Sequence, residues 1–142
     1  MTIRSIAEVI AGRELHTISP AKTARDASAM MEQAKVDGLV VVEDGALVGV
    51  LCEQDIIRKC MAQGLHSDDT PVSAIMTPDP LTVEASGKLA DAFKLMVDRD
   101  IHHLPVLQDG KVIGMMLKGD VPTDYRMMME RFQEYQKDTT AA

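Results

Sequence analysis

Two short runs carry the residues best able to do chemistry. The first reads Gly49-Val50-Leu51-Cys52-Glu53-Gln54-Asp55, with Arg58 and Lys59 just beyond. The second reads Gly114-Met115-Met116-Leu117-Lys118-Gly119-Asp120. Each ends on an aspartate, which can cap the helix after it or accept hydrogen bonds from two O–H donors side by side. His102-His103 is a third candidate. Adjacent residues on a strand point to opposite faces, so the two imidazoles do not readily chelate one ion, and no metal site is expected. A reactive thiolate at Cys52 needs a positive, accessible setting, but Glu53 and Asp55 lie beside it. The expectation for Cys52 is therefore a small buried residue. No phosphate-cradling glycine-rich loop, nucleophile elbow or zinc-protease motif occurs, and no carboxylates pair for acid–base work. No catalytic centre is expected.

The two runs belong to a longer duplication. Residues 16–56 align without a gap with residues 81–121. Asp26-Ala27 falls on Asp91-Ala92, Met31 on Met96, Leu39 on Leu104, Asp44-Gly45 on Asp109-Gly110, and Asp55 on Asp120. A fixed period reports a unit that cannot bury its apolar face alone. Two copies predict two lobes with a cleft between them.

Each copy must supply the same elements. A short extended stretch (His16-Thr17-Ile18, Leu81-Thr82-Val83) precedes a helix. Ala24, Ala27, Ser28 and Met31 share one helical face, as do Leu89, Ala92, Phe93 and Met96. Thr23 and Asp26 suit a capping box. A hairpin follows, with strands Leu39–Val42 and Leu47–Leu51 around Asp44-Gly45, and Leu104–Leu107 and Val112–Met116 around Asp109-Gly110. Pro105 lacks an N–H, which predicts an edge strand or an unpaired start. Ile56, Ile57, Cys60 and Met61 form a further stripe. Ile6–Ile10 and Val72–Met76 open the two copies. In the tail, Tyr125, Met128, Met129, Phe132 and Tyr135 share a face that needs a partner, and Asp138 to Ala142 should fray. The division is 1–62 for repeat one, 63–71 for a polar linker closed by Pro71, 72–124 for repeat two, and 125–142 for a C-terminal helix and tail.

Composition narrows the function. The chain has 142 residues, 46% of them hydrophobic, with no Trp, two Tyr, two Phe and eleven Met as adaptable filler. The formal net charge of −7 argues against non-specific binding of nucleic acid or anionic membrane. Cys52 and Cys60 form no CxxC or zinc spacing. Arg4 and Glu8 interrupt the apolar residues of the N-terminus, so it lacks a signal-peptide core. A cytoplasmic protein is expected.

The order of extended stretch, helix, Asp-Gly hairpin, glycine and aspartate resembles a cystathionine-β-synthase (CBS) domain, and two copies resemble the pair called a Bateman module. The strongest match is Ile101-His102-His103-Leu104-Pro105-Val106 with Asp109-Gly110 and Gly114; Ile75-Met76-Thr77-Pro78 is similar to the segment that opens such a domain. The resemblance covers about residues 3–124. It implies an α/β fold of two tandem repeats, each a small sheet with flanking helices, related by pseudo-two-fold symmetry. It also implies that Asp55 and Asp120 accept hydrogen bonds from ribose hydroxyls. Cys52 and Leu117 stand where the family carries Ser or Thr; a thiol is a weak hydrogen-bond partner and Leu117 is none. The implied ligand contacts are Thr17, Leu81 and Thr82 in the extended stretches, Asp37, Gly38, His102, His103, Leu104 and Pro105 at the hairpin entries, and Cys52, Asp55, Arg58, Met116 and Asp120 around the two runs.

Family members place basic residues at the His102-His103 position towards the ligand's phosphates. An imidazole near a phosphate donates a hydrogen bond and gains charge. Copy one has Asp37-Gly38 there, which would repel a phosphate. The expectation is two unequal clefts, with copy two suited to a phosphorylated ligand and copy one to a neutral end or to nothing. The function implied is a stand-alone regulatory module binding AMP, ADP, ATP, NAD or S-adenosylmethionine, without a cofactor, as a homodimer that signals to a protein partner. The alternative is a ligand-free dimeric scaffold using the C-terminal helix.

Overall fold

The computed structural model describes residues 5–140, apart from the side chains of residue 133 and residues 136–140. Arg4, invoked above, lies outside the described residues, as do the last two of the tail. In chain order the elements are α1 (Ile6–Ile10), β1 (Thr17–Ile18), α2 (Ala24–Ala34), β2 (Gly38–Glu43), β3 (Ala46–Cys52) and α3 (Glu53–Ile56), which continues as a wider π turn, Ile57–Met61. After the linker come α4 (Val72–Ile75), β4 (Thr77–Pro78), β5 (Val83–Glu84), α5 (Leu89–Asp98), β6 (His103–Gln108), β7 (Lys111–Leu117), a 3₁₀ turn (Lys118–Asp120) and α6 (Thr123–Thr140).

Local chemistry explains these boundaries. The Thr23 hydroxyl accepts the Asp26 N–H at 3.1 Å, and the Asp26 carboxylate accepts the Thr23 N–H at 3.1 Å, so α2 starts on the predicted capping box. Both hairpins turn on Asp-Gly with φ positive at both residues, 52° and 79° in the first and 53° and 79° in the second. That conformation matches the twist of the strands it joins. Each hairpin shifts register at the same place, between Val41 and Val42 and between Val106 and Leu107. The duplication therefore extends to an irregularity of the ladder.

The first sheet has the order β1-β2-β3-β4 and the second β5-β6-β7. β1 and β5 run parallel to the first strand of their hairpins, β2 and β6. β4 belongs to repeat two in sequence, yet it pairs antiparallel with β3 of repeat one. The opening helices are exchanged in the same way. Val72 and Ile75 of α4 bury in the core built by Ile18, Met31, Leu39, Val41 and Leu51. Ile6 and Ile10 of α1 bury in the other core, with Phe93, Met96, Leu104, Val106 and Met116. A β-carbon on Gly49 would lie 2.6 Å from Met76 Sδ, and one on Gly114 would lie 2.7 Å from Ile10 Cδ1. Each hairpin thus keeps a glycine where the exchanged segment crosses it.

Three expectations change. β6 is the central strand of its sheet and not an edge, with Pro105 buried within it, so of the two readings the unpaired start is the one that holds. At the matching place in repeat one, the Val40 N–H donates to His16 O at 3.1 Å. Pro105 cannot make that bond, so parallel pairing starts one step later, at Val83 rather than Thr82. The stripe after Asp55 is half buried: Ile56 and Cys60 enter the core, while Ile57 and Met61 stay 54% and 65% exposed. α6 spans Thr123–Thr140, starting two residues before the expected boundary at 125. Its first turn is anchored, with Tyr125 on Phe93 at a ring separation of 5.5 Å. Met128 and Phe132 remain exposed.

Candidate functional site

Two cavities lie where the repeats meet, and each draws on both. The smaller, of about 500 Å³, takes Cys52 from the end of the first hairpin and Asp55 from α3, Thr77 and Asp79 to Leu81 from the strand exchange and the stretch after it, and His102 and His103 from the entry to β6. The larger, of about 870 Å³, takes Arg13 to His16 from the stretch before β1, Asp37 and Gly38 from the entry to β2, and Gly114, Met115 and Leu117 from β7. Apolar side chains of α2, α3 and the π turn, among them Met31, Ile56 and Ile57, line its far wall.

This crossing revises the expected partnership. The histidine pair shares a cavity with Asp55, the carboxylate of the other repeat. Asp120 sits beside the Asp37-Gly38 cavity, bonded to Arg13 on its wall. The reason is topological: each hairpin's closing aspartate faces the entry segment of its neighbour, so ligand-facing residues come from opposite copies.

Both aspartates hold the chain locally as well. Asp55 Oδ2 accepts the Cys52 N–H at 3.0 Å and the thiol at 3.2 Å, while Oδ1 pairs with Lys59 at 3.1 Å. Asp120 Oδ2 accepts the Leu117 N–H at 2.8 Å. These are the return halves of helix caps. Burial pushes the Cys52 thiol above its usual range, and the Asp55 carboxylate hydrogen-bonded to it acts in the same direction.

The smaller cavity is rich in carboxylates. Asp37, Glu53, Asp55, Asp79 and Asp100 line it, with Arg99 and the two histidines as its bases. His103 Nε2 lies 2.8 Å from Asp37 Oδ1, and His102 Nε2 lies 3.5 Å from Asp100 Oδ1. Lys118 also reaches Asp100, at 3.2 Å, and holds its carboxyl below the usual range, with His102 adding to the effect. Both imidazoles therefore already face a carboxylate. The phosphate role expected for them meets competition within the protein.

Of the remaining candidates, Leu81 lines the smaller cavity. Thr17, Arg58 and Thr82 line neither. Leu104, Pro105 and Met116 are fully buried, with Leu104 and Met116 in the second core, because their strand positions face inward. Arg13 and His16 were not singled out from sequence. Arg13 lies before residue 16, where the aligned repeat begins, so no internal echo marks it.

The CBS domain model matches residues 6–62 and again residues 72–121. The chain belongs to the CBS-domain family. Among curated CBS-domain proteins, it is 38% identical over 122 residues to the mitochondrial CBSX3 of Arabidopsis thaliana, covering 80% of this chain and 59% of that one. It thus spans little more than half of that relative. Among solved CBS structures, a chain from Burkholderia ambifaria MC40-6 matches with a TM-score of 0.78 at 31% identity, covering 82% of this chain and 90% of that one. CBSX2 of Arabidopsis thaliana, solved in complex with AMP, matches with a TM-score of 0.70 at 31% identity, covering 82% and 92%. Among the described residues no helix is long and apolar enough to cross a membrane.

Proposed function

We propose that this CBS pair is a regulatory module that binds an adenosine-containing ligand in its two inter-repeat cavities. The observation that carries the reading is that each cavity is walled by both repeats. Asp55 lines the smaller, and Asp120 stands on the edge of the larger. A ligand seated there bridges the repeats, so binding energy couples to their relative position. The AMP complex of CBSX2, at 31% identity, supports AMP as the first ligand to try. In this reading Asp55 and Asp120 take ribose hydroxyls, and the module acts without catalysis as a homodimer. Two free cysteines suit a reducing compartment, the cytoplasm in our reading.

The test is a thermal-shift panel of AMP, ADP, ATP, NAD and S-adenosylmethionine. A ligand at about 100 times its Kd adds roughly 2.7 kcal/mol to the folded state, readily seen as a raised Tm. If none of the five moves the Tm at millimolar concentration, the reading fails. The exposed Met127, Met128 and Phe132 of α6 favour a second reading, a scaffold that docks through this helix. Loss of dimer or partner binding in Met128→Lys/Phe132→Lys, with no nucleotide effect on the native chain, would select it.

A further inference from the structure

Arg13 spans the two repeats. Gly12, at φ +78°, turns the chain out of α1, and the Arg13 N–H bonds Ile10 O at 3.1 Å. The guanidinium then crosses to repeat two. Nη1 donates to Asp120 Oδ2 at 2.7 Å and Nη2 to Oδ1 at 2.6 Å, so the fork holds both oxygens. The Asp120 side chain is only 10% exposed, against 40% for Arg13. Repeat one solves the same problem differently. Asp55 recruits Lys59 from its own helix through one oxygen. The residue matching Lys59 in repeat two is Asp124, which is acidic. Asp120 has no such cation on its own side and takes one from the other repeat.

A ligand diol that uses Asp120 must therefore displace the guanidinium. A neutral ligand leaves that charge without its bidentate partner. A ligand that also carries a phosphate restores it, because the guanidinium fork fits a phosphate as it fits a carboxylate. The other charged groups on this wall, Glu14, Glu32, Asp37 and Glu53 against Lys35, do not favour an anion by themselves. We propose that Arg13 is a specificity gate on the larger cavity, exchanging Asp120 for a ligand phosphate and so admitting a nucleotide in preference to its nucleoside. The proposal rests on the reading of Asp120 as a diol acceptor.

Calorimetric titration of the full chain with AMP and with adenosine tests it, in an Asp55→Asn background that silences the smaller cavity. With Arg13 present, AMP binds more tightly than adenosine. Arg13→Ala removes the competitor for Asp120 and the partner for phosphate together. Adenosine then tightens, AMP weakens, and the ratio of their affinities falls by about tenfold or more. Arg13→Lys keeps the charge without the fork and gives an intermediate ratio; it also serves if Arg13→Ala does not fold. An unchanged ratio in variants that still bind both ligands overturns the gate and leaves the nucleotide reading standing. If neither ligand binds any of these proteins, the gate falls, and the thermal-shift panel on the native chain decides the nucleotide reading separately.

Discussion

His103 fills the volume that a side chain at Gly38 would need. A β-carbon on Gly38 would lie 2.4 Å from His103 Cδ2 and 2.6 Å from Nε2. The two residues are counterparts in the duplication, so their contact lies close to the pseudo-two-fold axis. Two bulky residues there would collide. The contrast between the copies at this position therefore has a packing cause, and the ring is further held by Asp37 at 2.8 Å.

Gly38→Ala should consequently destabilise the fold by about 1–3 kcal/mol through overpacking. His103→Ala should relieve that cost, because the ring is what the new methyl meets. Urea unfolding of the two single variants and the double variant measures the coupling. Strictly additive changes would show that the two positions do not share this space.

The exchanged helices make a second prediction. Ile6 is 1% exposed and sits in the core of repeat two. Ile6→Ala should cost about 2–5 kcal/mol. Its amide chemical-shift changes should concentrate around Val106 and Met116, not around Val41 and Leu51. Shifts centred on the first core would contradict the exchange.

Cys52 should resist alkylation. Its thiol is pushed up by burial and by the Asp55 carboxylate, so little thiolate is present near neutral pH. Iodoacetamide at pH 7 should modify the native chain much more slowly than the urea-unfolded chain, with mass spectrometry locating the adduct. Equal rates in the two states would restore Cys52 as a redox candidate.

The stability should fall in acid for an identifiable reason. The Asp26 carboxyl is lowered, first by the N–H of Thr23 that it accepts. Asp100 is lowered by Lys118. A carboxyl whose folded pKa is depressed contributes its stability above the unfolded pKa, near 4, and loses it as pH falls through the folded value. The urea midpoint should therefore decline below about pH 4. Asp26→Asn should show a lower midpoint at neutral pH and a shallower decline. A decline as steep as that of the parent chain would remove Asp26 from the account.

Much of this molecule was legible in the chain itself. The helix faces through Ala27 and Met31 and through Ala92 and Met96, the Thr23–Asp26 capping box and both Asp-Gly turns depend on residues within a few positions of one another. Local sterics and hydrogen bonding decide such features. The duplication added the expectation of two lobes and a cleft. The stripe at Ile57 and Met61 was misread because periodicity locates a face but not what covers it.

Other relationships were decided only when the chain closed on itself. Residues up to about a hundred positions apart had to meet. α1 packs on repeat two, β4 pairs with repeat one, and the histidine pair faces Asp55 while Asp120 faces Arg13. Pro105 could be read as an unpaired N–H, but that it stands in a central strand depends on which strand lies beside it. The sequence by itself determined two copies of one unit and the carboxylate that ends each. The tertiary structure decided which copy's entry segment each carboxylate faces, because exchanging the opening segments brings opposite copies together at both cavities.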